Sequence, residues 1–151
     1  MTIMNIYKFP DPILKVVAQH IIHFDSDLAQ LAESMLETMY DANGIGLAAT
    51  QVGIDKRLIV VDIFSAHEDK KMRDPHIFVN PDIIEKSGET TYEEGCLSVI
   101  EFTAQVQRYA TIKVRYQTLT GEFEEQEVEG LFSICLQHEM DHLNGILFID
   151  H

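Results

Sequence analysis

The sequence predicts an α+β fold, and three observations carry that prediction. A helical repeat of apolar residues lies near the N-terminus, a second helical stretch closes the chain, and the residues between them switch to short apolar runs and two-residue alternation. Helices at both ends with strands between imply α+β organisation rather than alternating βαβ units.

The elements follow in order. Asp11-Pro12 ahead of ILKVVAQH reads as a helix start, with Asp at the cap and Pro at the first helical position. A longer helix is expected over residues 26–42, where Leu28, Leu31, Ala32, Met35, Leu36, Met39 and Tyr40 form one apolar stripe. Asp25, Ser26 and Asp27 flank its start and Asn43-Gly44 ends it. Leu58-Ile59-Val60-Val61 and His76-Ile77-Phe78-Val79 read as strands, as do the stretches holding Ile112, Val114 and Tyr116 and then Phe123 and Val128, after a Thr120-Gly121 turn. These strands are expected to be mostly antiparallel. The charged, aperiodic residues 65–75 read as a surface loop, and the chain turns helical again from Gly130 through LFSICLQHEMDHLNG.

Composition bounds the function. The 151 residues include 25 Asp+Glu against 11 Lys+Arg, a net charge of −14, with 46% hydrophobic and 9% aromatic residues. That is one domain's length with enough apolar material for a core, so disorder is excluded as the main state. The charge argues against a nucleic-acid surface. No apolar run reaches the roughly 18 residues of a membrane span, and the first residues, with Lys8 and Pro10, do not read as a signal peptide. Two cysteines do not make a disulfide framework. A soluble, acidic, intracellular domain is the expectation.

The sharpest local signal is His138-Glu139-Met140-Asp141-His142, an H-E-x-x-H on the last helix. Residues four apart lie one above the other, so both imidazoles can reach one metal ion, with Glu139 beside them to take a proton from a metal-activated water. A catalytic metal needs a third protein ligand. Cys135 lies ~10 Å along the helix axis from His142, too far to share their metal, and reads as a small apolar wall residue. Cys96, in EEGCLS, lies on another segment and is the better ligand of the two, although that segment alone reads equally as holding a buried thiol. Gly44-Ile45-Gly46-Leu47-Ala48-Ala49 matches G-x-G-x-x-A, but a helix precedes it where a dinucleotide site needs a strand. It reads instead as tight backbone beside a pocket, where a ligand's main chain can approach and Gln51 offers an amide donor or is simply a surface glutamine.

The three segments GIGLAATQ, EGCLS and QHEMDH, in that order, resemble the signature motifs of the peptide deformylases. The similarity runs from Phe9-Pro10-Asp11-Pro12-Ile13-Leu14 to Phe148-Ile149-Asp150. It implies antiparallel sheets packed around a central helix that carries the H-E-x-x-H, and removal of the formyl group from N-formylmethionyl peptides of newly made proteins. It further implies Cys96, His138 and His142 as metal ligands, Glu139 as acid/base, and the Gln51 side-chain amide with the Leu97 N–H as oxyanion donors. The main chain at Ile45, Gly46 and Gly95 would hold an extended peptide. Tyr92, Glu94, Leu131, Ile134 and Cys135, with Ile45 and His138, would form the methionine pocket; Leu131 and Ile134 also read as plain core. Fe²⁺ is the metal implied, with Zn²⁺, Ni²⁺ or Co²⁺ able to replace it.

Two departures stand out. After Cys96-Leu97-Ser98, Ile100 replaces a family proline and Thr103 stands where many members have a peptide-binding arginine, while Arg108 matches a later one. Weaker dependence on the substrate's second and third residues is expected. Many bacterial members carry a further, often basic, C-terminal helix that helps dock on the ribosome; this chain stops at His151, so ribosome docking is not expected. A monomer is expected, in the cytoplasm of a bacterial or phage-infected cell or in an organelle. A zinc endopeptidase and an inactive deformylase-like peptide-binding protein are the competing readings. His20, His23, His67, His76 and His151 lack partners at ligand spacing and read as surface or structural.

Overall fold

The β-run Leu58-Ile59-Val60-Val61 is apolar at every position because both of its faces are covered. A computed structural model describes residues 3–150, with the side chains of residues 99–102 undescribed, so the expectations for the Ile100 side chain and for His151 lie outside the described residues. Five strands, β1 (Gly46–Ala48), β2 (Leu58–Val61), β3 (His76–Cys96), β4 (Val99–Gln117) and β5 (Phe123–Glu129), form one antiparallel sheet in the order β1-β2-β3-β4-β5. Two helices, α1 (Ser26–Asp41) and α2 (Gly130–Leu143), complete the α+β architecture. On β2, Leu58 and Val60 join the cluster of Leu28, Ala32, Met35 and Met39 from α1, while Ile59 and Val61 join that of Leu136, Met140 and Leu143 from α2. Alternate side chains point to opposite faces, so a strand between two helices must be apolar throughout.

α1 keeps the expected range to within a residue. The Asp25 side chain accepts the Leu28 N–H at 3.1 Å, capping the first turn. The expected first helix shrinks to one 3₁₀ turn, Pro12–Lys15, capped by Asp11. β-branched Val16 and Val17 leave it in extended conformation, and the chain pairs with the end of α2 instead, through Val17 opposite Asn144 and an Ala18 N–H donated to the Leu143 carbonyl at 2.7 Å.

β3 runs far past the expected Val79. It leaves the core as a long ribbon with β4, bent by register shifts at Val79/Asp82, Ile83/Glu85 and Glu94/Cys96. Pro81 sits within the first shift, where no ladder N–H is demanded. Most of this ribbon is exposed and polar, so it carries no apolar pattern to read. Its far end brings Glu94 and Cys96 down onto α2. Among the described residues no helix is long and apolar enough to cross a membrane.

Candidate metal centre and substrate cleft

α2 is buried from Ser133 to Met140 and again at His142 and Leu143, so its polar residues face protein rather than water. Residues 138 and 142 share one face, and their Nε2 atoms stand 3.2 Å apart. Cys96, at the end of β3, brings its Sγ to 3.3 Å from His142 Nε2. The three donors lie within 4.8 Å of one another, and they are the one such group of His, Cys, Asp or Glu among the described residues. Tetrahedral donors bonded at ~2.0–2.3 Å stand ~3.3–3.8 Å apart, so this spacing fits one divalent ion held by a thiolate and two imidazoles.

The surroundings support that fit. His138 Nδ1 lies 2.8 Å from Glu94 Oε1, which places the ring proton on Nδ1 and frees Nε2 to bind a metal. Arg108 grips the same carboxylate with both arms, Nε to Oε2 at 2.8 Å and Nη2 to Oε1 at 2.9 Å, and reaches Asp141 Oδ2 with Nη1 at 2.6 Å. Burial pushes the Glu94 carboxyl up, but the hydrogen bonds from Arg108 and His138 outweigh it and hold its pKa at about 2. Glu139 differs. Its Oε1 is buried with no partner among the described residues, and burial lifts its pKa to about 7 against the opposing pull of His138. An orphaned, buried carboxylate oxygen beside three metal-type donors has the position and the raised pKa that a proton acceptor needs.

Gly46 explains how β1 comes so close. A Cβ built there would lie 2.7 Å from Cys135 Sγ and 2.8 Å from Glu139 Oε2, so only glycine lets the strand lie against α2. Burial drives the Cys135 thiol well above its usual pKa, and it stays a neutral wall residue as its distance from His142 implied. Gln51 is buried rather than at the surface. The Ala48 N–H donates to its Oε1 at 3.0 Å, which turns Nε2 toward Ser98 Oγ at 3.2 Å and Cys96 Sγ at 3.5 Å.

A cleft of ≈ 340 Å³ is lined by Ile45, Gly46, Gln51, Gly95, Cys96, Leu97, His138 and Glu139, with Asn43 and Gly44 at one end. A side pocket of ≈ 80 Å³ opens beside it, lined by Ile45, Tyr92, Glu94, Gly95, Leu131, Ile134, Cys135, His138 and Glu139. The expected residues other than His142 line one of two hollows that share Ile45, Gly95, His138 and Glu139, and His142 lies behind them against Cys96 and His138.

The polypeptide deformylase family model matches residues 3–151. A peptide deformylase of Phenylobacterium zucineum is 51% identical over an alignment covering 100% of this chain and 88% of its own. The chain belongs to the polypeptide deformylase family. The crystal structure of a peptide deformylase from Legionella pneumophila has a TM-score of 0.91 at 41% identity, covering 99% of this deformylase and 85% of that chain. A Met-Ala-Ser-bound class I type b peptide deformylase from Acinetobacter baumannii has a TM-score of 0.89 at 38% identity, covering 99% and 98%.

Sequence reasoning missed three parts of this candidate site. Ser98 donates its N–H to Cys96 Sγ at 3.4 Å and accepts from Gln51. Asp141 and Arg108 form the outer end of the Glu94 network, whereas Arg108 was expected only as a match to a family position. The available signal was alternation, since Val106, Arg108 and Ile112 fall on the same parity of β4 and an arginine among inward positions needs buried carboxylates. Thr103, at the expected departure, donates its hydroxyl to Glu93 Oε1 at 3.1 Å on the exposed face of the ribbon.

Proposed function

We propose that the chain hydrolyses the formyl amide of N-formylmethionyl peptides, releasing formate, with Cys96, His138 and His142 as metal ligands and Glu139 as the proton carrier. The observation that carries this reading is the convergence of three metal-type donors and one orphaned, buried carboxylate at the junction of a cleft and a small apolar side pocket.

When bound, a divalent ion would supply Lewis acidity, bringing a water's pKa near neutrality and polarising the formyl oxygen. The chain's own groups do the rest. Glu139, lifted toward neutrality by burial, takes the water's proton and returns it to the departing amine. The Gln51 side-chain amide and the Leu97 N–H hold the charge that develops on the formyl oxygen. Gln51 is held ready for that, because the Ala48 N–H fixes its carbonyl end. β1 is an edge strand, so a peptide can lie along its open side in extended form. The Ile45 carbonyl already accepts the Asp62 N–H at 2.8 Å, so the contribution we assign to Ile45 is its own N–H. The substrate's methionine enters the side pocket, where the Glu94 carboxylate is already occupied by Arg108 and His138 and Glu139 lies at the end shared with the cleft.

Fe²⁺ is the metal we propose from the family resemblance; the donor set itself accepts Zn²⁺, Ni²⁺ or Co²⁺ as well. The iron form is then oxygen-sensitive, through oxidation of either the ion or the Cys96 sulfur. The test is formate release from formyl-Met-Ala-Ser by anaerobically prepared Fe²⁺ protein beside Glu139→Ala. Release that falls about 10²–10⁴-fold in the variant, with metal retained, supports the assignment. No release from metal-loaded, folded wild type would contradict it and favour a peptide-binding role.

A further inference from the structure

The two proposed oxyanion donors sit on different loops, Gln51 after β1 and Leu97 between β3 and β4. One short run of N-terminal backbone touches both loops. The Tyr7 N–H donates to the Gln51 carbonyl at 2.7 Å, and the Phe9 N–H donates to the Ser98 carbonyl, next to Leu97, at 2.7 Å. Two amides only two residues apart thus tie together positions 47 apart in sequence.

That segment is anchored at both ends. Upstream, the Met4 N–H donates to Thr38 Oγ1 of α1 at 2.8 Å. Downstream, Asp11 caps the Pro12–Lys15 turn, whose Leu14 is buried with Val106, Leu147 and Phe148. Between the anchors the side chains of Tyr7 and Phe9 remain 36% and 44% exposed. Gly53, at φ +82°, lets the Tyr7 ring lie close; a Cβ there would be 2.6 Å from it. The segment grips through its main chain.

Donors that stabilise a transition state are worth most when their spacing is set in advance, and a shift of about 1 Å can cost ~10²-fold in rate. We propose that Tyr7–Phe9 is a positioning strap that sets the distance between Gln51 and Leu97 across the cleft. This rests on reading those two residues as the oxyanion donors.

The test removes one amide. Tyr7→Pro in the full-length, metal-loaded chain deletes the N–H that Gln51 receives, and Tyr7→Phe keeps both amide and ring. We expect kcat for formyl-Met-Ala-Ser to fall about 10–100-fold in Tyr7→Pro. KM, affinity for the product Met-Ala-Ser and bound metal should stay at wild-type values, and Tyr7→Phe should match wild type throughout. In a Gln51→Ala background, Tyr7→Pro should add little, because the group it positions is gone. Unchanged kcat in folded Tyr7→Pro would overturn the proposal, as would a parallel fall of kcat, product affinity and metal content, which marks a general scaffold. Should Tyr7→Pro not fold, amide exchange in the wild type decides: Tyr7 and Phe9 protected supports the strap, and both exchanging freely overturns it. If Gln51→Ala alone keeps full kcat, the oxyanion reading has failed. If Gln51→Ala loses kcat and Tyr7→Pro does not, only the strap has failed.

Discussion

The two sides of the cleft are built differently. On the metal side, His138 is held by Glu94, Glu94 by both arms of Arg108, and Arg108 by Asp141, all within 2.6–2.9 Å and with Arg108 and Glu94 side chains only 4% exposed. On the proposed oxyanion side, Gln51 and the Leu97 loop are held by hydrogen bonds donated by Ala48 and the N-terminal segment and by the one that Gln51 donates to Ser98. The difference follows chemistry. A ligand set must hold one geometry whether or not substrate is present, and charge-assisted bonds in a dry interior keep it. Oxyanion donors must offer N–H groups to a charge that exists only during reaction, so what they need is a fixed position.

The comparison can be broken most severely on the metal side. Arg108→Met removes the cation from the buried Glu94 carboxylate, and breaking such a buried pair costs about 3–5 kcal/mol. Denaturant unfolding should show that loss, with Arg108→Lys falling between the two. A wild-type midpoint in Arg108→Met would mean that the network stabilises nothing. On the other side, Gln51→Ala should lower kcat about 10²–10³-fold while unfolding at a near-wild-type midpoint, which steady-state kinetics and the same denaturation curve check together. Glu94→Gln keeps the shape but not the charge. It should weaken metal binding about 10–100-fold, measured by competition with a chelator. The smallest effect belongs to neither side. Asp25→Ala removes the α1 cap, costing about 1 kcal/mol with kcat unchanged, and so calibrates what a change remote from the cleft does.

How much of this was legible depended on the period of the signal. α1 could be read because its stripe recurs every three or four residues against one core, and β2 because both of its faces are buried. The proposed ligand pair could be read because the helical repeat puts His138 and His142 on one face, whatever surrounds them. Cys96 could be separated from Cys135 by helix rise alone, yet its approach to the histidines depends on a ribbon from 80 to 96 whose residues are mostly polar and exposed. Local pattern has nothing to register there, because the ribbon is held by pairing between β3 and β4 rather than by an apolar face. The one-turn Pro12–Lys15 segment failed for the opposite reason. Its cap signal was genuine, but the residues after it gain more from pairing with the end of α2 than from extending a helix. The strap was invisible to pattern, since it acts through backbone amides that every residue but proline carries.

The central claim is that the two sides do separable work, one holding the metal and the other the developing charge. The direct test measures bound metal and kcat in the same preparations of Glu94→Gln and Gln51→Ala. The account predicts that Glu94→Gln loses metal and regains most of its kcat when metal is in excess, whereas Gln51→Ala keeps a full metal complement and stays slow at any metal concentration. Loss of metal from Gln51→Ala, or a Glu94→Gln variant that holds its metal and is still slow, would contradict that division.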